Sequence, residues 1–288
     1  MEDMITGLCP QCGHTLHIPA ELASFSCMYC GTRLTKEQLA AEPPAAQEAD
    51  EDRAAYYDRA VSRLGWCIKN FGGYQKKIMR DVFFEAFETY ETGCAPVIQE
   101  LARGVAPEQQ TQLLGRAAAA MLDELEAGWQ KKGDMEDEKI VLAIFFVPMV
   151  RKQQLPISEE FVTILQKQWV ERYPKSPFYL GDYESISGGF RKKFLGLCFI
   201  TTAVCQELGK PDDCEELTAF RAFRDGYLRS QPDGEALIRE YYNIAPGIVT
   251  CINTCSDRHA SYARIREEYL APCYQDLLAG RNESCKAR

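Results

Sequence analysis

Histidine is scarce in this chain: only His14, His17 and His259 occur among 288 residues. No His-Glu zinc-protease pattern can be built from them. A Gly-rich phosphate loop, a Gly-x-Ser-x-Gly elbow and the kinase signatures are missing as well. Long apolar runs are lacking too. The longest, Ile140 to Val150, is broken by Pro148 and falls short of the roughly 20 residues that a membrane-crossing helix needs. The opening Met1-Glu-Asp-Met-Ile has no basic start, and a cysteine motif begins at Cys9, where an export signal would carry its apolar centre. Basic charge is in deficit, with 33 Lys and Arg against 42 Asp and Glu and a net charge of −9. That balance disfavours both a phosphate backbone and an anionic bilayer. Together these absences predict a soluble cytoplasmic protein with no membrane and no nucleic acid among its partners.

Cysteine, by contrast, is abundant. Thirteen are present, an odd number in a chain expected in a compartment where disulfides rarely persist. Metal ligation and buried thiols are the uses this predicts. A hydrophobic fraction of 46% beside 26% charged residues is ordinary globular material with enough apolar side chains for a core. The length suits about two domains.

Residues 1–40 hold Cys9-Pro-Gln-Cys12-Gly13 and Cys27-Met-Tyr-Cys30-Gly31. Two residues between cysteines let a tight turn aim both thiolates at one ion, and the following glycine supplies the positive φ of such a turn. His14 to Pro19 alternates like a strand, and Phe25-Ser-Cys is expected to pair back onto it. This arrangement, from Cys9 to Leu34, is similar to the zinc-ribbon family. The resemblance implies one tetrahedral Zn²⁺ bound by Cys9, Cys12, Cys27 and Cys30. His14 and His17 are the substitute ligands on offer, but four thiolates already complete a closed site, so both read as ordinary strand residues. So small a unit has almost no core, so metal binding and folding are expected to be one event. Many ribbons contact nucleic acid, but here only Arg33 and Lys36 face Glu2, Asp3, Glu21 and Glu37. A structural or protein-docking role is favoured.

Residues 41–52, rich in Pro, Ala and acids, read as a linker. Residues 53–185 read as helices. The apolar stripes are Tyr57, Val61, Leu64 and Ile68; then Ile78, Val82, Phe83, Ala86, Phe87 and Tyr90; then Leu114, Ala118, Met121, Leu125 and Trp129 behind Pro107; then Ile140, Val141, Ile144 and Phe145. Ser158 is the expected N-cap of a helix carrying Phe161, Ile164, Leu165, Gln168 and Trp169. The acidic cluster Asp134, Glu136, Asp137 and Glu138 lacks calcium-loop spacing and reads as a solvated helix start. Cys67 and Cys94 read as small buried hydrophobes. The fold class is therefore mainly α: a small N-terminal β zinc ribbon followed by helical domains.

Residues 186–288 form the cysteine-rich part. A helix from about Phe190 would put Phe194, Leu197, Cys198, Thr201, Val204, Cys205 and Leu208 on one face, ending at Gly209 and Pro211. Ile248, Cys251, Ile252 and Cys255 share a second face, and Tyr262, Ile265, Tyr269, Cys273 and Leu277 a third. Cys198-Phe-Ile-Thr-Thr-Ala, then Phe220-Arg-Ala-Phe-Arg-Asp225, then Tyr241-Tyr242 with Pro246 resemble the CFI-box family, a bacterial domain of Cys-Phe-Ile-Ala-Thr-Ala, Leu-Arg-x-Phe-Arg-Asp and Tyr-Tyr…Ser-Pro segments. The match spans about 50 residues and departs at Thr201, Phe220 and Ala245. It implies membership and carries no activity.

Three readings of these cysteines stay open. In the first they are buried core, with Arg221, Arg224 and Asp225 anchoring helix ends. In the second they hold another metal. Cys198 and Cys205 are too far apart along one helix to share an ion, but Cys205 with Cys214, Cys251 with Cys255, and Cys273 or Cys285 are candidate ligands. In the third, Cys198 or Cys205 is a nucleophile or redox centre, with its thiol pKa lowered by Arg221 and Arg224 and with His259 as the one base outside the ribbon. The function this predicts is a zinc-binding adaptor or regulatory protein working through protein partners. The alternatives are a thiol-dependent enzyme or redox protein, and nucleic-acid binding through the ribbon.

Overall fold

The computed structural model describes residues 4–11, 14–39, 50–191, 198–255 and 257–288. Cys12, Phe194, Leu197 and residues 41–49 of the expected linker lie outside them. The chain divides into two compact units, Met1–Glu51 and Asp52–Arg288. Residues 53–185 and 186–288 both fall in the second.

In the first unit, β1 (Met4–Leu8) pairs antiparallel with β2 (Thr15–Pro19), from Leu8 opposite Thr15 to Met4 opposite Pro19. Strand β3 (Ser24–Ser26) pairs with β4 (Arg33–Thr35), with Phe25 opposite Leu34. The expected pairing of Phe25 onto the His14–Pro19 strand is thus replaced by two separate hairpins. Cys9 follows β1 directly, and Cys27 and Cys30 lie in the loop between β3 and β4. Short loops close at little entropic cost, so each strand takes its neighbour in sequence. Period two then puts Leu16 and Ile18 inside and His17 outside. Leu34, Cys9 and Cys27 complete this core, and Phe25 and Leu39 pack against it.

The helices are α1 (Asp50–Leu64), α2 (Trp66–Lys69), α3 (Phe83–Gly104), α4 (Gln110–Gly128), α5 (Lys132–Val141), α6 (Val147–Lys152), α7 (Ser158–Arg172), α8 (Tyr183–Arg191), α9 (Phe199–Glu207), α10 (Glu215–Ala222), α11 (Gly234–Cys255), α12 (Arg258–Ile265), α13 (Ala271–Leu278) and α14 (Asn282–Ala287). No strand occurs among the described residues of this unit. No helix among the described residues is long and apolar enough to cross a membrane. The main core joins α3, α4 and α7 to the π turn Leu142–Phe146. It buries Phe83, Phe87, Tyr90, Phe145, Phe161 and Trp169 completely or nearly so. The same core takes in Ile186, Phe190 and Cys255 from the last third of the chain. The acidic cluster of α5 is committed locally. Asp134 accepts the Gln130 and Lys131 amides, Glu138 accepts the Trp129 indole N–H, and Glu136 pairs with buried Lys139.

Several boundaries differ from the periodicity. Helix α1 starts at Asp50, because the acids placed in the linker suit the positive end of a helix dipole. Helix α3 starts at Phe83, not Ile78. Asn243 holds the preceding segment open by accepting from Asp81 N–H and Arg80 N–H. Ser158 is the first residue inside α7, and Ile157 is the cap. The Ser158 hydroxyl instead donates to the Val150 carbonyl at 2.8 Å. Helix α11 runs straight through Pro246, so the Tyr-Tyr pair and the Cys251–Cys255 face are one helix.

Candidate functional site

The ribbon brings three of its four predicted ligands together. The Sγ atoms of Cys9, Cys27 and Cys30 lie within 4.8 Å of one another, and Cys9 Sγ is 3.7 Å from Cys30 Sγ. A tetrahedron built on Zn–S bonds of about 2.3 Å has S···S edges of about 3.8 Å. The donor set and its spacing therefore fit zinc. The loops are built for this. Cys9 N–H donates to the His14 carbonyl at 2.9 Å, Cys27 N–H to Thr32 at 2.8 Å, and Gly31 N–H back to Cys27 at 2.8 Å. Gly31 has φ +74°, a left-handed conformation that a side chain would strain. His14 takes no place in this cluster: its ring stacks on Tyr29 with centroids 4.2 Å apart. Among the described residues no other three ligand-bearing side chains gather this closely.

The C-terminal cysteines sort into pairs instead. Cys205 and Cys214 have their sulfurs 3.8 Å apart. Cys273 and Cys285 are neighbours, and burial pushes the Cys285 thiol up to about 12. Cys251 and Cys255 lie one turn apart on α11 against the main core, and burial pushes Cys251 up to about 11. The set proposed as a second metal site is thus dispersed over three helix junctions. Cys67 and Cys94 are fully buried, as expected.

Cys198 sits outside the helix it was expected to share with Cys205. It is the N-cap of α9, and Leu208 at the far end is exposed. Thr201, Val204 and Cys205 do face inward. The three motif segments then meet. Buried Arg224, in the π turn Phe223–Tyr227, grips its neighbour Asp225 through Nε and Nη2 at 2.8 and 2.5 Å. Its Nη1 donates to the Tyr242 hydroxyl at 2.8 Å and lies 3.7 Å from Cys198 Sγ. The Tyr241 hydroxyl accepts the Ile200 N–H at 3.0 Å, which satisfies a first-turn amide of α9 that the Cys198 side chain leaves uncapped. Beside them is a cavity of about 280 Å³ lined by Cys198, Thr201, Phe220, Phe223, Arg224, Leu228, Leu237, Ile238 and Tyr241. Cys198, Thr201, Phe220, Phe223, Arg224 and Tyr241 belong to the motif segments that the sequence singled out. Leu228, Leu237 and Ile238 carried no such signal.

Burial raises the Cys198 thiol more than Arg224 and Arg221 lower it, so the expected thiolate activation does not arise. His259 is exposed and pairs with Glu207, at the end of α9 opposite Cys198. Arg221 anchors the α9–α10 turn through the Asp212 carbonyl at 2.7 Å and its carboxylate at 2.8 Å. Tyr241→Phe removes the acceptor for Ile200 N–H and should cost about 1 kcal/mol in urea unfolding. An unchanged midpoint would show the cap to be idle.

Neither a family model, nor a curated protein, nor a solved structure matches this chain.

Proposed function

We propose that this protein is a zinc-binding adaptor or regulatory protein that acts through protein contacts, with one Zn²⁺ held by Cys9, Cys12, Cys27 and Cys30. The observation that carries the reading is the trio of Cys9, Cys27 and Cys30, whose sulfurs lie within 4.8 Å of one another, with Cys9 and Cys30 at 3.7 Å. Cys12 is the fourth ligand on the strength of its motif. The ion supplies a cross-link between the two hairpins, and the four sulfurs close its coordination, leaving no open position for a substrate. Between Cys27 and Cys30 the loop presents Met28, 77% exposed, and Tyr29, 57% exposed. Methionine and aromatic residues are enriched at protein interfaces, and the acidic balance disfavours nucleic acid. Residues 186–288 are proposed as a CFI-box domain, supported by the convergence of its three motif segments, between Cys198 and Pro246, on Arg224. Cytoplasmic residence is proposed because thirteen cysteines, an odd number, cannot pair completely within one chain and suit a compartment where disulfides rarely persist.

Metal analysis of anaerobically purified protein should give one zinc per chain. Iron, or two ions, would move the metal chemistry to the C-terminal cysteines. A Met28→Ser/Tyr29→Ser variant should keep its zinc and lose the partners that the parent protein retains in pull-down. An unchanged partner set would sink the docking role. The thiol-enzyme alternative has less support, since burial raises the Cys198 thiol and His259 pairs with Glu207.

A further inference from the structure

One feature of the helical unit is independent of the ribbon and its metal. Cys205 is fully buried in the last turns of α9, whereas Cys214 is half-buried at the N-cap of α10. Their sulfurs are in van der Waals contact at 3.8 Å. The intervening turn is pinned on both sides. Lys210 N–H donates to the Cys205 carbonyl at 2.9 Å, Gly209 has φ +67°, and Cys214 N–H donates to Pro211 at 3.2 Å. The backbone therefore holds two thiols face to face across a short loop. A disulfide needs them only about 1.8 Å closer, at about 2.05 Å. The Cys214 side chain makes no cap hydrogen bond that would oppose the movement.

We propose that Cys205 and Cys214 form an oxidative modification site, a dithiol that hydroperoxides convert reversibly to a disulfide. Access sets the order of events. Cys214, the half-buried member, attacks the peroxide. The O–O bond breaks, the leaving oxygen departs as alcohol or water with the Cys214 proton, and the sulfur becomes a sulfenic acid. The Cys205 sulfur then displaces the sulfenic hydroxyl. The S–S bond forms, the S–O bond breaks, and the hydroxyl leaves as water with the Cys205 proton. In sum, two thiols and one hydroperoxide yield a disulfide, an alcohol and a water. Two equivalents of a low-molecular-weight thiol restore the pair by exchange: the first opens the bridge as a mixed disulfide, and the second displaces it, leaving both cysteines as thiols and the two small thiols joined as a disulfide.

The other cysteines show why this pair is selective. Cys67 and Cys94 are near each other but wholly buried. Cys273 and Cys285 are both buried. Cys251 and Cys255 lie one turn apart on a single helix, where Cβ atoms are about 5–6 Å apart, beyond the roughly 4 Å that a disulfide spans. The Cys205–Cys214 bond would also tie α9 to α10. Both sulfurs share a small cluster with Cys198, Leu217 and Phe220, and Cys198 and Phe220 line the cavity.

The test treats reduced full-length protein with stoichiometric hydrogen peroxide, blocks the remaining thiols with N-ethylmaleimide, and digests with a protease that cuts after Glu207. The peptides bearing Cys205 and Cys214 should emerge joined and separate on dithiothreitol treatment, with both thiols lost before any other in the helical unit. In Cys205→Ser the Cys214 sulfenic acid should accumulate and be trapped by dimedone. The proposal is overturned if both residues stay alkylatable while other cysteines of that unit oxidise. It is equally overturned if Cys214 in the unsubstituted protein advances to sulfinic acid without forming the bridge.

Discussion

Cys27→Ser should lose the bound zinc and unfold residues 4–39 while leaving the helical unit intact. Among the described residues, the core of this unit buries Leu16, Ile18 and Leu34 as its aliphatic side chains. At about 1.5–3 kcal/mol each, they cannot offset an ordering cost of about 1–2 kcal/mol per residue. Structural zinc contributes roughly 10–16 kcal/mol in comparable small folds. Cys27 is the most telling ligand to remove, because its amide and carbonyl also hold the second loop and serine keeps that backbone unchanged. The expected result is metal content falling from one zinc per chain to none. Amide dispersion from residues 4–39 should collapse, with little change in helical circular dichroism. Stripping the unsubstituted protein with a chelator should reproduce this, and zinc should reverse it. Ribbon resonances that stay dispersed without metal would refute the coupling of fold and ion.

The second large effect is expected at Gly247→Ala in α11. A Cβ there would lie 1.9 Å from the Ile78 carbonyl oxygen and 3.0 Å from its carbon. The obstacle is backbone rather than a flexible side-chain end. It belongs to the same segment that Asn243 holds ahead of α3. Overpacking of this kind costs about 3 kcal/mol, the upper end of its usual range. For a unit of this size that corresponds to about 6–12 °C in Tm. Gly188→Ala in α8 is the matched control. No heavy atom lies within 4 Å of its Cβ, and alanine is the better helix former by roughly 1 kcal/mol, so its Tm should hold or rise. Equal losses at the two positions would mean that α11 does not press on Ile78 as the structure shows.

The cysteine motifs were readable because their chemistry is local. Two residues of spacing and a following glycine are enough to place a pair of thiols in a loop, and Gly31 adopts the positive φ that its position implied. Helical stripes were readable for a similar reason. Leu114, Ala118, Met121 and Leu125 are all buried, since the 3.6-residue period fixes which side chains share a face. The inward orientation of Thr201, Val204 and Cys205 followed from the same period. Cys198 is buried with Cys205 although it caps the helix rather than lying inside it, and the face fails at Leu208, which is exposed.

Helix α11 continues through Pro246, where Ala245, Pro246 and Gly247 are all buried and tertiary packing compensates for the lost hydrogen bond. Ser158 misled the reading of the α7 start. It has the side chain of a cap, but the Val150 carbonyl, eight residues away, is its acceptor.

Composition and period were therefore sufficient for a mainly α chain with a small cysteine-bearing β unit, and for the residues that line its helix faces, because those properties depend on neighbours within a turn or a hairpin. The meeting of Cys198, Arg224, Tyr241 and Tyr242 and the close approach of Gly247 to Ile78 were decided only by the tertiary structure. Each joins segments whose mutual position depends on how whole helices pack, and no pattern within one segment encodes the distance to another.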